Sequence, residues 1–249
     1  MWPYPKIVAH RGGGTLAPEN TIAALRCGLA YGFRAVEFDV MLSKDGIGIV
    51  MHDPEFGRTV AGQGSVARTP ASDLVRKDAG SWFGPKFAGE PVPLFTEFID
   101  YCRSQRIWMN IEIKPAPGFE EETGRWVALK TRARFAVELR DGDMTAVPLL
   151  SSFSPVALAA ARDAAPEVPR GYLLDRLPPD WRAQAETLGA VAIHTNQKHL
   201  TREQAQAVKT AGFGLFCYTV NEPARATEIL GWGVDGFCTD RIDLIGPAF

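Results

Sequence analysis

The chain has 249 residues, 46% of them hydrophobic and 22% charged, with a formal net charge of −2. That composition gives room for one large core and excludes a disordered or disulfide-dense chain. No basic tract is present, which argues against nucleic acid and anionic membrane surfaces as partners; an anionic substrate would have to be met by a local site.

The opening carries prolines at positions 3 and 5 and only a short apolar run. It lacks the apolar stretch of a secretory signal, and no run reaches the roughly 18 apolar residues of a membrane span. A cytoplasmic protein without membrane insertion is expected. Further along, strand-like and helix-like segments alternate. The strand-like segments are Ile7–His10, Ala35–Val40, Ile47–His52, Met109–Ile113, Leu149–Ser152, Gly171–Leu174, Val191–His194, Leu215–Thr219 and Gly236–Thr239. Ile22, Leu25 and Leu29 share one face of a first helix that stops at Gly32, and Trp126, Leu129, Ala133 and Val137 predict the apolar stripe of a longer one. Ser154-Pro155 reads as an N-cap followed by proline at the first helical position. Thr201 with Gln204 reads as a capping box. Asn221 reads as the cap of a helix through Ala226, Ile229 and Leu230 that ends at Gly231.

Repetition of this kind predicts a parallel sheet with helices outside it. Ala35–Val40 and Ile47–His52 are too close for a crossover helix, and Ser43-Lys44-Asp45-Gly46 favours a hairpin between them. Counting Ile47–His52 as the returning arm leaves eight parallel strands. The expected fold is therefore an α/β (β/α)8 TIM barrel, one domain over residues 1–249, with a small insertion at about 53–93 capping the C-terminal mouth. Trp82, Phe83 and Phe87 in that insertion are expected to pack on one another rather than on a substrate. Cys27, Cys102, Cys217 and Cys238 read as reduced, mostly buried thiols, since no pair of them has metal-type spacing.

The polar residues of the strands fall at their ends. His10 and Arg11 end the first, Glu37 and Asp39 lie two apart on one face of the second, His52 and Asp53 end the hairpin arm, and Glu112 and Lys114 end the next strand. In a barrel these ends converge on one pocket. Glu37, Asp39 and Glu112 would repel one another there unless a cation lay between them, and all-oxygen ligation suits Mg²⁺, Ca²⁺ or Mn²⁺ better than zinc. The other reading of the same acids is a salt-bridge network with Arg11 and Lys114. His10 and His52 could flank a cation as general base and general acid, or serve as hydrogen-bonded structural residues. His194 either lines the pocket or is a satisfied core residue, and His199 is expected to be solvated. Gly12-Gly13-Gly14 reads as a weak phosphate-loop signal or a tight turn.

Taken in order, His10-Arg11-Gly12-Gly13, Pro18-Glu19-Asn20-Thr21, Glu37-Phe38-Asp39-Val40, Ser43-Lys44-Asp45-Gly46, His52-Asp53 and Ile111-Glu112-Ile113-Lys114 resemble the glycerophosphodiester phosphodiesterase family. The likeness continues through Ser151-Ser152-Phe153, Tyr218-Thr219-Val220-Asn221 and Asp235-Gly236-Phe237-Cys238-Thr239-Asp240, and is nearest to the small bacterial cytosolic branch. One position departs, since Tyr218 stands where many relatives carry tryptophan. The resemblance implies a TIM barrel and metal-dependent hydrolysis of glycerophosphodiesters to sn-glycerol 3-phosphate and an alcohol. It implies one divalent cation, Mg²⁺ before Ca²⁺ or Mn²⁺, on Glu37, Asp39 and Glu112. It further implies that His10 acts as base and His52 as acid, with Arg11 and Lys114 on the phosphate. The partners expected are small-molecule glycerophosphodiesters; the oligomeric state stays open, a homodimer included. Two rival readings use the same residues: a Mg²⁺-dependent enediolate lyase or isomerase, and a non-catalytic glycerophosphodiester-binding barrel.

Overall fold

The computed structural model describes residues 2–249. In chain order, β1 (Ile7–His10), α1 (Ile22–Ala30), β2 (Ala35–Leu42), β3 (Gly48–Val50), α2 (Ala71–Leu74), α3 (Phe95–Ser104) and β4 (Trp108–Ile113) make up the first part. They are followed by α4 (Glu120–Arg134), α5 (Ala136–Asp141), β5 (Leu149–Ser152), α6 (Pro155–Ala164), β6 (Arg170–Leu174) and α7 (Trp181–Leu188). The chain ends with β7 (Ala192–Asn196), α8 (Arg202–Thr210), β8 (Gly214–Tyr218), α9 (Pro223–Gly231) and β9 (Gly236–Thr239). No helix among the described residues is long and apolar enough to cross a membrane.

Eight of the strands are parallel and run β1, β2, β4, β5, β6, β7, β8, β9; pairing of β9 with β1 closes the sheet into a barrel. β2 and β4 are buried along their whole length, as strands of a closed parallel sheet under helices must be. β3 returns antiparallel on β2, with Met41 opposite Ile49, so the hairpin expected at Ser43–Gly46 is present. Trp2 and Tyr4 plug the N-terminal end of the barrel. Trp2 stacks on Phe216 at 5.7 Å and Tyr4 on Trp108 at 4.8 Å between ring centroids. In a barrel of this kind the site is expected at the C-terminal end, where loops after the strands meet.

The segment after Asp53 is not structureless. Its apolar residues Val60, Val66, Leu74 and Val92 are buried against Met41, Ile49 and Met51 of the hairpin. Glu90 accepts a hydrogen bond from the backbone of Ala23 and so ties the segment to the start of α1. Trp82, Phe83 and Phe87 stack edge to face on one another at 5.4–5.5 Å, the local packing expected of them.

One expected helix is wrong in detail. Of the stripe Trp126, Leu129, Ala133, Val137 only Trp126 packs on the core, against Phe95; the other three are exposed, and the helix breaks at Phe135 into α4 and α5. α4 instead buries Thr123, Gly124, Val127, Ala128 and Thr131. It lies so close to α6 that a Cβ on Gly124 would stand 2.1 Å from the carbonyl oxygen of Ala157. Small residues rather than large apolar ones let the two helices approach, and a periodicity count over large side chains misses such a face. The caps at Ser154 and Thr201 are both formed; each hydroxyl accepts from the backbone N–H three residues on.

Candidate active site

At the C-terminal end of the barrel a cavity of about 220 Å³ opens between His10, Glu37, His52, Glu112, Lys114 and Tyr218. Its floor carries Glu37, Asp39 and Glu112, all buried, with a ligand oxygen from each lying within 4.8 Å of the others. Register explains the convergence. β2 and β4 place Asp39 opposite Glu112, and β1 places His10 opposite Glu37. Thus the expected acids, drawn from separate stretches of chain, share one point.

Burial and the neighbouring carboxylates Asp39 and Glu112 push the Glu37 carboxyl far above the usual range. Burial and Asp39 raise Glu112 as well. Burial also opposes ionisation of Asp39, but Lys114 and Arg11 outweigh it and hold Asp39 below its ordinary value. Lys114 Nζ lies 3.5 Å from Asp39 and 3.4 Å from Glu112, and Arg11 Nε lies 3.5 Å from Asp39. Two cations therefore do not neutralise three acids: the cluster keeps protons, and a hard dication bound by its oxygens is what would let all three ionise. The donor set fits such an ion.

The two histidines stand on either side, each held by a carboxylate. His10 Nδ1 pairs with Asp240 Oδ1 at 2.5 Å and turns Nε2 toward Glu37, 3.6 Å away. His52 Nδ1 pairs with Asp53 Oδ1 at 2.6 Å, and its Nε2 accepts from Lys114 Nζ at 2.6 Å. Asp240 is itself fixed by Asn221, whose amide donates to Oδ2 and whose carbonyl accepts from the Asp240 backbone. Asn221 is thus not the helix cap expected of it. Glu222 takes that position ahead of Pro223, because the Asn221 side chain is already engaged by Asp240. Arg11, at φ 52, keeps an Nε that is buried without a hydrogen-bond partner.

Residues 10–244, almost the whole chain, match the glycerophosphoryl diester phosphodiesterase family. The chain belongs to that family. It is 32% identical over 239 residues to a glycerophosphodiester phosphodiesterase of Caldanaerobacter subterraneus, covering 94% of this chain and 93% of that one. Its fold superposes with a TM-score of 0.86 on a phosphodiesterase of Oleispira antarctica solved in complex with the product sn-glycerol-3-phosphate, at 34% identity, covering 98% of this chain and 96% of that one. A glycerophosphodiester phosphodiesterase from Agrobacterium tumefaciens superposes at 0.78 with 30% identity, covering 98% and 100% of the two chains.

In this phosphodiesterase the sequence motifs pointed to most of the pocket but not to the groups that orient it. Asp240 and Asn221 lie in quoted motifs, yet their role depends on β9 closing against β1, which no local pattern announces. Asn20, at φ 59, donates to Asp39 Oδ2 at 2.9 Å and accepts from the Asp39 backbone. Gly12 serves as a tight turn, at φ 94, with α1 so close that a Cβ would meet Ala24 at 2.9 Å. His199 is half-buried and lies 3.6 Å from Asp175. Ser152 donates to the Ile113 backbone and has no free role.

His194 lines the cavity, but it is not the satisfied core residue that was one of its two readings. It is fully buried, tilted at 37° against Phe216 with centroids 4.8 Å apart, and neither ring nitrogen is hydrogen-bonded. Burial alone pushes its pKa down to about 3. Between about pH 3 and the ordinary histidine value near 6.5, the unfolded chain binds a proton here and the folded one does not. Stability must therefore fall as pH drops through that window, by up to roughly 5 kcal/mol for this one group. Urea midpoints at pH 7 and pH 4 are expected to differ more for the wild type than for His194→Leu. Equal differences would show that His194 is not buried as a neutral ring.

Proposed function

We propose that the chain hydrolyses glycerophosphodiesters to sn-glycerol 3-phosphate and an alcohol, using one divalent cation and two histidines. The observation that carries this reading is the arrangement of three buried carboxylates within 4.8 Å between two imidazoles, each imidazole held by its own acid. The relative solved with sn-glycerol-3-phosphate supports the product assigned here. Glu37, Asp39 and Glu112 would hold the ion, with Mg²⁺ the first choice for an all-oxygen set. When bound, it would supply positive charge against the phosphoryl oxygens.

Everything else is done by side chains. Arg11 and Lys114 draw the phosphate in and offset the charge that grows in the transition state. Arg11 Nε, buried and 3.5 Å from Asp39, seats the guanidinium against the acid cluster. His10, with Nδ1 held by Asp240, presents Nε2 to the cleft as general base. His52 rests as the neutral ring, since its Nε2 accepts from Lys114. When the phosphate draws the Lys114 ammonium to itself, that nitrogen is released to take up a proton from solvent, and the imidazolium so formed delivers it to the departing alcohol. Asp53 supports the resulting imidazolium.

A coupled assay for sn-glycerol 3-phosphate, with glycerophosphocholine and glycerophosphoethanolamine as substrates and Mg²⁺ supplied, tests the reading. Release from either supports it; no release with Mg²⁺, Ca²⁺ or Mn²⁺ overturns it. Appearance of a cyclic glycerol phosphate during turnover would assign attack to the glycerol 2-hydroxyl, and its absence would assign attack to water.

A further inference from the structure

We infer that Arg58, outside the pocket, is a positioning residue that ties the phosphate-binding arm to the proton-transfer arm; the inference rests on the roles proposed above for Arg11 and His52. Its guanidinium uses all three nitrogens on two carboxylates. Nε donates to Asp53 Oδ2 at 2.6 Å, and the two terminal nitrogens donate to the two oxygens of Glu19 at 2.7 Å each. Both carboxylates are shared. The other oxygen of Asp53 holds His52 Nδ1 at 2.6 Å, and Glu19 Oε1 also accepts from Arg11 at 2.8 Å. One fork thus stands at the centre of the series His52, Asp53, Arg58, Glu19, Arg11.

The Arg58 side chain is 45% exposed, which screens the pair, while its bidentate, networked geometry still contributes to folding. Its geometric consequences are larger. Asp53 holds His52 through one oxygen and is itself held through the other, so the carboxylate cannot rotate away. Glu19 would otherwise face Arg11 as its only cation and draw that guanidinium off the cleft. Shared with Arg58, Glu19 leaves Arg11 able to approach both Asp39 and a phosphate. The three contributors come from three places: Glu19 from the loop after β1, Asp53 from the end of the hairpin, and Arg58 from the segment that follows it. Lysine offers a single point charge and no fork, so it can satisfy one carboxylate but not both in this geometry.

The test is steady-state kinetics on the full-length enzyme with Mg²⁺, together with calorimetric binding of sn-glycerol 3-phosphate and a melting temperature. Arg58→Met is expected to lower kcat about tenfold, to raise KM about fivefold and to weaken product binding in step with KM, beyond what a small fall in melting temperature explains. Arg58→Lys is expected to recover part of the loss. Glu19→Gln is expected to move KM and product affinity more than kcat, and Asp53→Asn to move kcat more than KM. These two variants read the arms separately should Arg58→Met fold poorly. Values of kcat and KM for Arg58→Met within twofold of wild type overturn the inference. So does a loss that follows the melting temperature and is the same in Arg58→Lys. His52→Ala, measured alongside, separates the two levels. If it is inactive while Arg58→Met is normal, only this inference fails; if it keeps full kcat, the reading beneath fails and takes this one with it.

Discussion

Alanine at His52 is expected to lower kcat by roughly 10²–10⁴-fold with little change in KM, and alanine at His10 to do the same. The two losses differ in kind. A general acid matters in proportion to how badly the leaving group needs a proton. With glycerophosphocholine the departing alkoxide is strongly basic, so His52→Ala is expected to be severely impaired. With the p-nitrophenyl ester of glycerol phosphate the departing phenolate needs no proton, and His52→Ala is expected to recover most of its rate. His10→Ala should recover little on either substrate, because the attacking hydroxyl still lacks its base. Rescue of His10→Ala in place of His52→Ala would reverse the two roles. Rescue of neither would leave His52 without an acid's function. The geometry gives both rings a fixed proton inventory: Nδ1 of each faces a carboxylate, Asp240 or Asp53, so exchange with substrate has to run through Nε2.

How much of this was legible beforehand depended on whether the physics was local. β1, β5 and β9 begin and end where the alternation placed them, and β2 exceeds its expected bounds only by Met41 and Leu42. Parallel strands under helices are continuous apolar runs, and such runs are visible in sequence. The acids and histidines were legible for the converse reason. Ionisable residues at the ends of apolar strands cost energy there unless they have a purpose. What could not be read was any contact made by closing the barrel or folding back the segment after the hairpin. Asp240 reaches His10 across 230 residues and Arg58 reaches Glu19 across 39. The true face of α4 stayed hidden because Gly124 and Thr131 carry no strong apolar signal. The unpaired nitrogens of His194 were equally invisible, since nothing in Val191-Ala192-Ile193-His194 says that a ring will lie over Gly171, where a Cβ would meet its Nε2 at 2.5 Å.

The second large effect concerns the cation. Dialysis against a chelator is expected to abolish turnover, and Mg²⁺ is expected to restore it. Stability should respond with it. Without a cation the three acids repel one another, and burial with that repulsion raises the Glu37 and Glu112 carboxyls while Asp39 stays lowered. At a hundredfold excess over Kd, a bound ion stabilises the folded state by about 2.7 kcal/mol. For a chain of this size that is a rise of roughly 5–10 °C in Tm. Glu37→Gln separates repulsion from ligation. Replacing that buried, acid-crowded carboxyl by an amide should leave the chelated protein at least as stable as wild type under the same conditions, while the rise on adding Mg²⁺ and the activity are both lost. If instead Glu37→Gln destabilises the chelated protein and still responds to Mg²⁺, Glu37 is a structural residue and the ion lies elsewhere.

Anomalous scattering from a crystal soaked in Mn²⁺ bears most directly on the central claim. The account requires one strong peak enclosed by carboxylate oxygens of Glu37, Asp39 and Glu112, with the His10 and His52 rings on either side. A structure of the active enzyme with no peak there, and with Arg11 and Lys114 alone paired to the three acids, would contradict it.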